Sequence, residues 1–220
     1  MRTDAPRLGI DFGRVIQGAA LEPGAADTVF LSGGLDEAMR TPPSPGAFEV
    51  LARLLPRFDG AWIISKCGPR VELRTRQWLD HHDLFAHTGL PRDHLRFCRA
   101  RADKAIHCAE LGITHMIDDR LEVHSALRGL VPHLFWFGVQ TGPAPDWVRH
   151  TRTWPDVEDA VSATLSDVVP PTQRDVVSPT QRDVVPPTQR DVVPPTQRDV
   201  VPPTQRDVVS PTQGGDAPRP

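Results

Sequence analysis

Three short apolar runs in this chain end in residues that can hold a cation or a phosphoryl group. Leu8-Gly9-Ile10 runs into Asp11 and continues as Phe12-Gly13-Arg14, and Ile113-Thr114-His115-Met116-Ile117 runs into Asp118-Asp119. Between them, Ala61-Trp62-Ile63-Ile64 closes on Ser65-Lys66, and Lys104 precedes the second acidic run. Carboxylates are hard oxygen ligands for a divalent cation, while a hydroxyl and an ammonium suit phosphoryl oxygens. Of the 25 lysines and arginines, only Lys66 and Lys104 are lysine, and both belong to this set. A compact, mobile ammonium is a different tool from a planar guanidinium, so their placement supports a charged site.

Such residues act together only if the fold brings the ends of the runs to one place. Strand patterns over 7–12, 61–65, 94–98, 114–118 and 132–137 alternate with helix patterns over 44–58, 69–82, 103–111, 120–128 and 155–165. Ser44 is expected to cap the first helix with Pro45 in its first turn, and Pro69 to open the second. This alternation predicts an α/β fold, a Rossmann-like doubly wound parallel sheet of about five strands with helices on both faces. Ligands of such sheets bind beyond the carboxyl ends of the strands, where Asp11, Ser65 and Asp118 all fall. Residues 14–43 break the alternation with Gly18, Gly24, Gly33-Gly34 and Pro42-Pro43, and predict a short flap after strand 1, above the site.

The composition changes near Asp167. From there to Gln213 the chain is six near-copies of Asp-Val-Val-Pro-Pro-Thr-Gln-Arg, and residues 167–220 hold 12 of the 24 prolines and no aromatic residue. Paired valines bury too little to offset backbone ordering, and paired prolines remove amide donors, so a disordered or polyproline tail is expected. The domain organisation is therefore 1–166 as the folded body and 167–220 as a disordered Pro-rich octad-repeat tail. A net charge of −3 gives no general attraction to nucleic acid or an acidic membrane. Three cysteines without Cys-x-x-Cys spacing indicate neither a disulfide framework nor a zinc site. No run approaches the roughly 20 apolar residues of a membrane span. A cytoplasmic protein without membrane association is the expectation, with the oligomeric state left open.

Asp11-Phe12-Gly13, Ser65, Lys104 and Asp118-Asp119, in that order on alternating elements, resemble the haloacid-dehalogenase-like superfamily of aspartyl-phosphate-forming hydrolases. The stretch from Lys104 to Asp119 carries the resemblance best, and the whole covers about residues 7–138. A phospho-receiver domain would place the acidic pair on the first strand and the lysine last, and a dinucleotide-binding domain would need Gly-x-Gly-x-x-Gly after strand 1; neither matches. The resemblance implies Asp11 as nucleophile and Lys104 as the cation that neutralises the crowded carboxylates. It implies Ser65 on a phosphoryl oxygen, with Lys66 as a further phosphate contact. It also implies Mg²⁺ held by Asp11, the Gly13 carbonyl, Asp118 and Asp119. For Asp119 the sequence leaves a helix cap as an alternative.

Position 13 departs from the superfamily's phosphatases, which carry there the aspartate that protonates the leaving group and activates water. Glycine keeps the carbonyl and loses the proton transfer, which typically contributes ~10²–10⁴-fold. Two functions therefore stand: a Mg²⁺-dependent hydrolase or phosphoryl-transfer protein, and a catalytically impaired relative that binds a phosphorylated ligand or a protein partner. Short gaps after strands 1 and 3 leave no room for a cap domain, so the site is expected to be open to a macromolecular substrate, nucleic acid included. Arg14, Arg70, Arg74, Arg92, Arg96, Arg99 and Arg101 are candidates to steer one.

Overall fold

The computed structural model describes residues 5–18, 30–31 and 33–166. The octad repeats, with the disorder expected of them, lie outside the described residues. The sheet has six parallel strands: β1 (Arg7–Ile10), β2 (Gly60–Lys66), β3 (Leu95–Cys98), β4 (His115–Asp118), β5 (His133–Phe137) and β6 (Arg149–Thr151). Their order is β3-β2-β1-β4-β5-β6. The helices are α1 (Leu35–Met39), α2 (Ala47–Leu54), α3 (Pro69–His81), α4 (Leu84–Thr88), α5 (Lys104–Leu111), α6 (Leu121–Leu127) and α7 (Trp154–Ser166).

Period-two alternation sorts the strand side chains onto two cores. Leu8, Ile10, Ile63, Ile117, Phe135 and Phe137 face α2, α3 and α7 through Leu51, Trp78 and Val157, among others. Trp62, Ile64, Met116, Leu134 and Trp136 face α5 and α6 through Cys108, Val123 and Leu127. With helices on both faces, the sheet is doubly wound, and its order reverses direction around β1 and β4. Ile10 lies beside Ile63 on one side and Ile117 on the other, so the chain emerges from β1 between the ends of its neighbours. Gly9 makes that crossing possible, since a Cβ there would stand 2.7 Å from the Met116 sulfur.

Several boundaries differ from expectation, each for a local reason. Strand β6 reads Arg-His-Thr and carries no apolar pattern; pairing with β5 makes it a strand. Helices α1 and α4 are five residues each, too short for periodicity to reveal. Ser44 does not cap α2: the cap is Gly46 at φ 80°, and the Ser44 hydroxyl donates to the Gly18 carbonyl. That helix also stops at Leu54, because Pro56 in the following 3-10 turn has no amide hydrogen to donate.

The described parts of the segment after β1 are pinned to the body. The Gly18 amide donates to the Pro42 carbonyl (2.9 Å) and the Ser44 amide to the Ile16 carbonyl (2.8 Å). Arg70, Arg74, Trp78 and His82, four residues apart along one stripe of α3 and its cap, donate to the carbonyls of Leu31, Phe30, Thr41 and Met39. The segment is thereby held at the edge of the strand ends. No helix among the described residues is long and apolar enough to cross a membrane.

At the opposite end of β4, His115 is buried against Phe58 and His133, with ring centroids 5.1 and 4.4 Å away. Burial, and then the neighbouring His133, push its pKa down to about 3. Unfolding frees the ring to bind a proton below about pH 6.5, so stability is full above that value and falls as the pH drops toward 3. Thermal denaturation should show this acid loss, and His115→Gln should remove about one proton's worth of the pH dependence. An unchanged acid slope in the variant would contradict the assignment.

Candidate functional site

Asp11 is the first residue past β1, and its amide donates to the Ile117 carbonyl of β4 at 2.9 Å. Asp118 is the last residue of β4, Ser65 and Lys66 end β2, and Lys104 opens α5. The Lys104 ammonium lies 2.7 Å from Asp11 Oδ1 and 2.6 Å from Asp118 Oδ2. Lys104 is 2% exposed and Asp118 0% exposed, so this ion pair is shielded from water. The other Asp118 oxygen accepts the Arg120 amide at 2.9 Å, which fixes the turn after β4.

The carbonyls of the acidic pair are held as well. His124 Nε2 donates to the Asp118 carbonyl at 3.0 Å, Trp136 Nε1 to that of Asp119 at 3.0 Å, and Gln140 Nε2 to the same oxygen at 3.2 Å. A carbonyl can only accept, so His124 carries its proton on Nε2. His124 comes from α6, and Trp136 and Gln140 from the end of β5 and the turn after it, so no sequence pattern marks them as a set. Asp119 does not cap α6, whose cap residue is Arg120. Its Oδ2 instead lies 3.4 Å from Arg14 Nε and 3.3 Å from Arg120 Nε.

Three carboxylates crowd together in the site. Carboxylate oxygens of Asp11, Asp118 and Asp119 all lie within 4.8 Å of one another. Burial opposes charge on Lys104, but Asp11 and then Asp118 outweigh it and hold its pKa above the ordinary lysine value. Burial pushes the Asp11 carboxyl up to about 6, with Lys104 pulling against it and Asp118 adding to the rise. Asp119 rises to about 7, through burial first and then the charges of Asp11 and Asp118. Asp11, Asp118 and Asp119 together offer an all-oxygen donor set of the kind a hard divalent cation takes, so the residues fit Mg²⁺.

Asp11, Gly13, Ser65, Lys66, Lys104 and Asp119 line one pocket, whose edge is formed by Phe30 and Leu31. Asp118 sits beneath it, bound to Lys104. Of the seven arginines considered for steering, only Arg14 and Arg101 line this pocket. Arg70 and Arg74 hold carbonyls of the segment after β1, Arg92 pairs with Asp80, Arg96 donates to the Asp93 carbonyl, and Arg99 to that of Cys67. The His94 ring donates to the Ala61 carbonyl and the Cys98 thiol to that of Ser65.

No protein-family profile matches this chain, and no curated protein matches it. Solved structures do. A haloacid dehalogenase-like family hydrolase from Xanthomonas campestris superposes with a TM-score of 0.52 at 13% identity, over 74% of this chain and 97% of the other. An uncharacterized protein from Listeria monocytogenes serotype 4b superposes with a TM-score of 0.51 at 15% identity, over 74% of this chain and 99% of the other. With their parallel sheet order, the described residues have the haloacid-dehalogenase-like fold.

Proposed function

We propose that this protein is a Mg²⁺-dependent hydrolase or phosphoryl-transfer enzyme that acts through an aspartyl phosphate on Asp11. The observation that carries this reading is the buried Lys104 ammonium shared by Asp11 and Asp118, beside a third carboxylate and under a pocket that Ser65 lines. Lys104 engages Asp11 Oδ1, which leaves Oδ2 to attack phosphorus. Ser65 and Lys66 bind the non-bridging phosphoryl oxygens, and Lys104 offsets the charge that gathers as the new bond forms. Asp11, Asp118, Asp119 and the Gly13 carbonyl would hold Mg²⁺, which when bound supplies charge neutralisation for the phosphoryl group.

Gly13 favours a second reading, in which the same pocket binds a phosphorylated ligand or partner without turning it over. Release of phosphate from a panel of phosphorylated compounds separates the two. Wild-type turnover with Mg²⁺ should fall by at least ~10³-fold in Asp11→Asn, which keeps the shape and removes the nucleophile. Turnover unaffected by that substitution would exclude Asp11 as nucleophile, and saturable binding of a compound that is never turned over would establish the second reading.

Metal binding has its own signature. Asp11 and Asp119 must lose protons held to about pH 6 and 7 before a cation can enter. Added Mg²⁺ should therefore raise the midpoint of thermal denaturation far more at about pH 8 than at about pH 5. An equal shift at both pH values, or no shift in wild type, would contradict this cation site.

A further inference from the structure

The pocket wall beside Gly13 holds fixed positive charge. Position 13 is glycine, and the next residue, Arg14, lies buried in the pocket wall with its Nε 3.4 Å from Asp119 Oδ2. The Arg120 Nε approaches the same carboxylate oxygen at 3.3 Å, so two guanidiniums share one anion. Among the described residues, Arg14, Lys66, Arg101, Lys104 and Arg120 line the pocket with two acids, Asp11 and Asp119. Arg14 also adopts a left-handed backbone, φ 62°, which is uncommon for a residue with a side chain. It keeps that conformation within a tight turn whose amide of residue 14 donates to the Gln17 carbonyl at 2.8 Å.

A proton donor matters in proportion to the basicity of the leaving group. An alkoxide leaving from a phosphate ester needs a proton as the bond breaks. A carboxylate or a phosphate leaving from an anhydride departs as a stable anion and needs only positive charge beside it. Resting on the phosphoryl-transfer reading above, we infer that the substrate is a phosphoric anhydride, an acyl phosphate or a diphosphate, and that Arg14 binds its anionic leaving group. Asp11 Oδ2 forms the new bond to phosphorus while the anhydride P–O bond breaks, and the bonding pair leaves on the carboxylate or phosphate without a proton. In the second half, water adds to phosphorus, the bond to Asp11 breaks, and the proton of the water passes to bulk solvent. With glycine at 13 this half lacks a base at that position, so it is the slower half and phosphorylated Asp11 is the species that accumulates.

The test uses the full chain with Mg²⁺ and three donors: acetyl phosphate, inorganic pyrophosphate and glycerol 3-phosphate. Phosphate release is followed together with the intact mass, which reports a phosphoryl group on the protein. Wild type should use one or both anhydrides, carry the added mass during turnover, and leave the alkyl ester nearly untouched. The acetyl phosphate and pyrophosphate arms distinguish the two anhydride sources. Gly13→Asp suits the backbone, since Gly13 is absent from the left-handed region, and should raise glycerol phosphate turnover by ~10²-fold or more. Arg14→Gly relaxes the left-handed backbone but strips Asp119 of a buried partner, so its melting transition should fall, whereas Arg14→Lys keeps a charge there; kcat/KM for the anhydride should fall by ~10²-fold in the first and by less in the second.

Glycerol phosphate used by wild type as well as the anhydrides, or an Arg14→Gly enzyme as fast as wild type, overturns the inference and leaves the proposed function standing. Transfer from no donor, or transfer that survives Asp11→Asn, overturns the proposed function and the inference with it.

Discussion

The ammonium of Lys104 lies within 2.7 Å of Asp11 and 2.6 Å of Asp118, and it joins α5 to the ends of β1 and β4 where the sheet reverses direction. Removing one partner from such a buried arrangement typically costs ~3–5 kcal/mol, because a charge is left without its counter-ion. The three groups therefore constrain one another. β1 must run deep between β2 and β4 to deliver Asp11, and Gly9 permits that depth by leaving room for Met116. Helix α5 must begin where it does for a four-carbon side chain to reach both carboxylates. His124, Trp136 and Gln140 then lock the carbonyls of Asp118 and Asp119, so the acidic pair keeps its aim without a loop to tighten around it.

The same charges explain why stability and chemistry pull in different directions here. Three carboxylates within 4.8 Å are costly even with Lys104 and Arg14 beside them, and Asp11 and Asp119 respond by holding their protons more tightly. A site built for structure alone would be better served by carboxylates set apart. Crowded acids beneath a pocket rimmed by arginines instead suit a ligand set that adds a cation and an anion together, as a metal and a phosphoryl group do.

Much of this was legible before any coordinates. The strands that carry Asp11, Ser65 and Asp118 are continuous apolar runs because they are buried on both faces, and that signal is strong in a parallel sheet. Lys104 stood out because lysine is rare in this chain. What the sequence hid was set by tertiary contact. Strand β6 has no apolar pattern and exists by pairing with β5. Arg70 and Arg74 look like solvated surface until α3 lays them against the carbonyls of Leu31 and Phe30. Arg14 reads as one more arginine, and only its left-handed backbone and its approach to Asp119 mark it out. Asp119 could have been a helix cap, and the position of Arg120 at the start of α6 decides against it.

The central claim is that Asp11 accepts a phosphoryl group in a site completed by Ser65, Lys104 and a cation. A crystal structure of the protein with Mg²⁺ and beryllium fluoride, a mimic of the aspartyl phosphate, tests this most directly. The expected result is a beryllium fluoride adduct on the free oxygen of Asp11, with Ser65 and Lys104 in hydrogen-bonding reach and one cation among Asp11, Asp118 and Asp119. A cation bound elsewhere, with Asp11 unmodified at saturating beryllium fluoride, would contradict it.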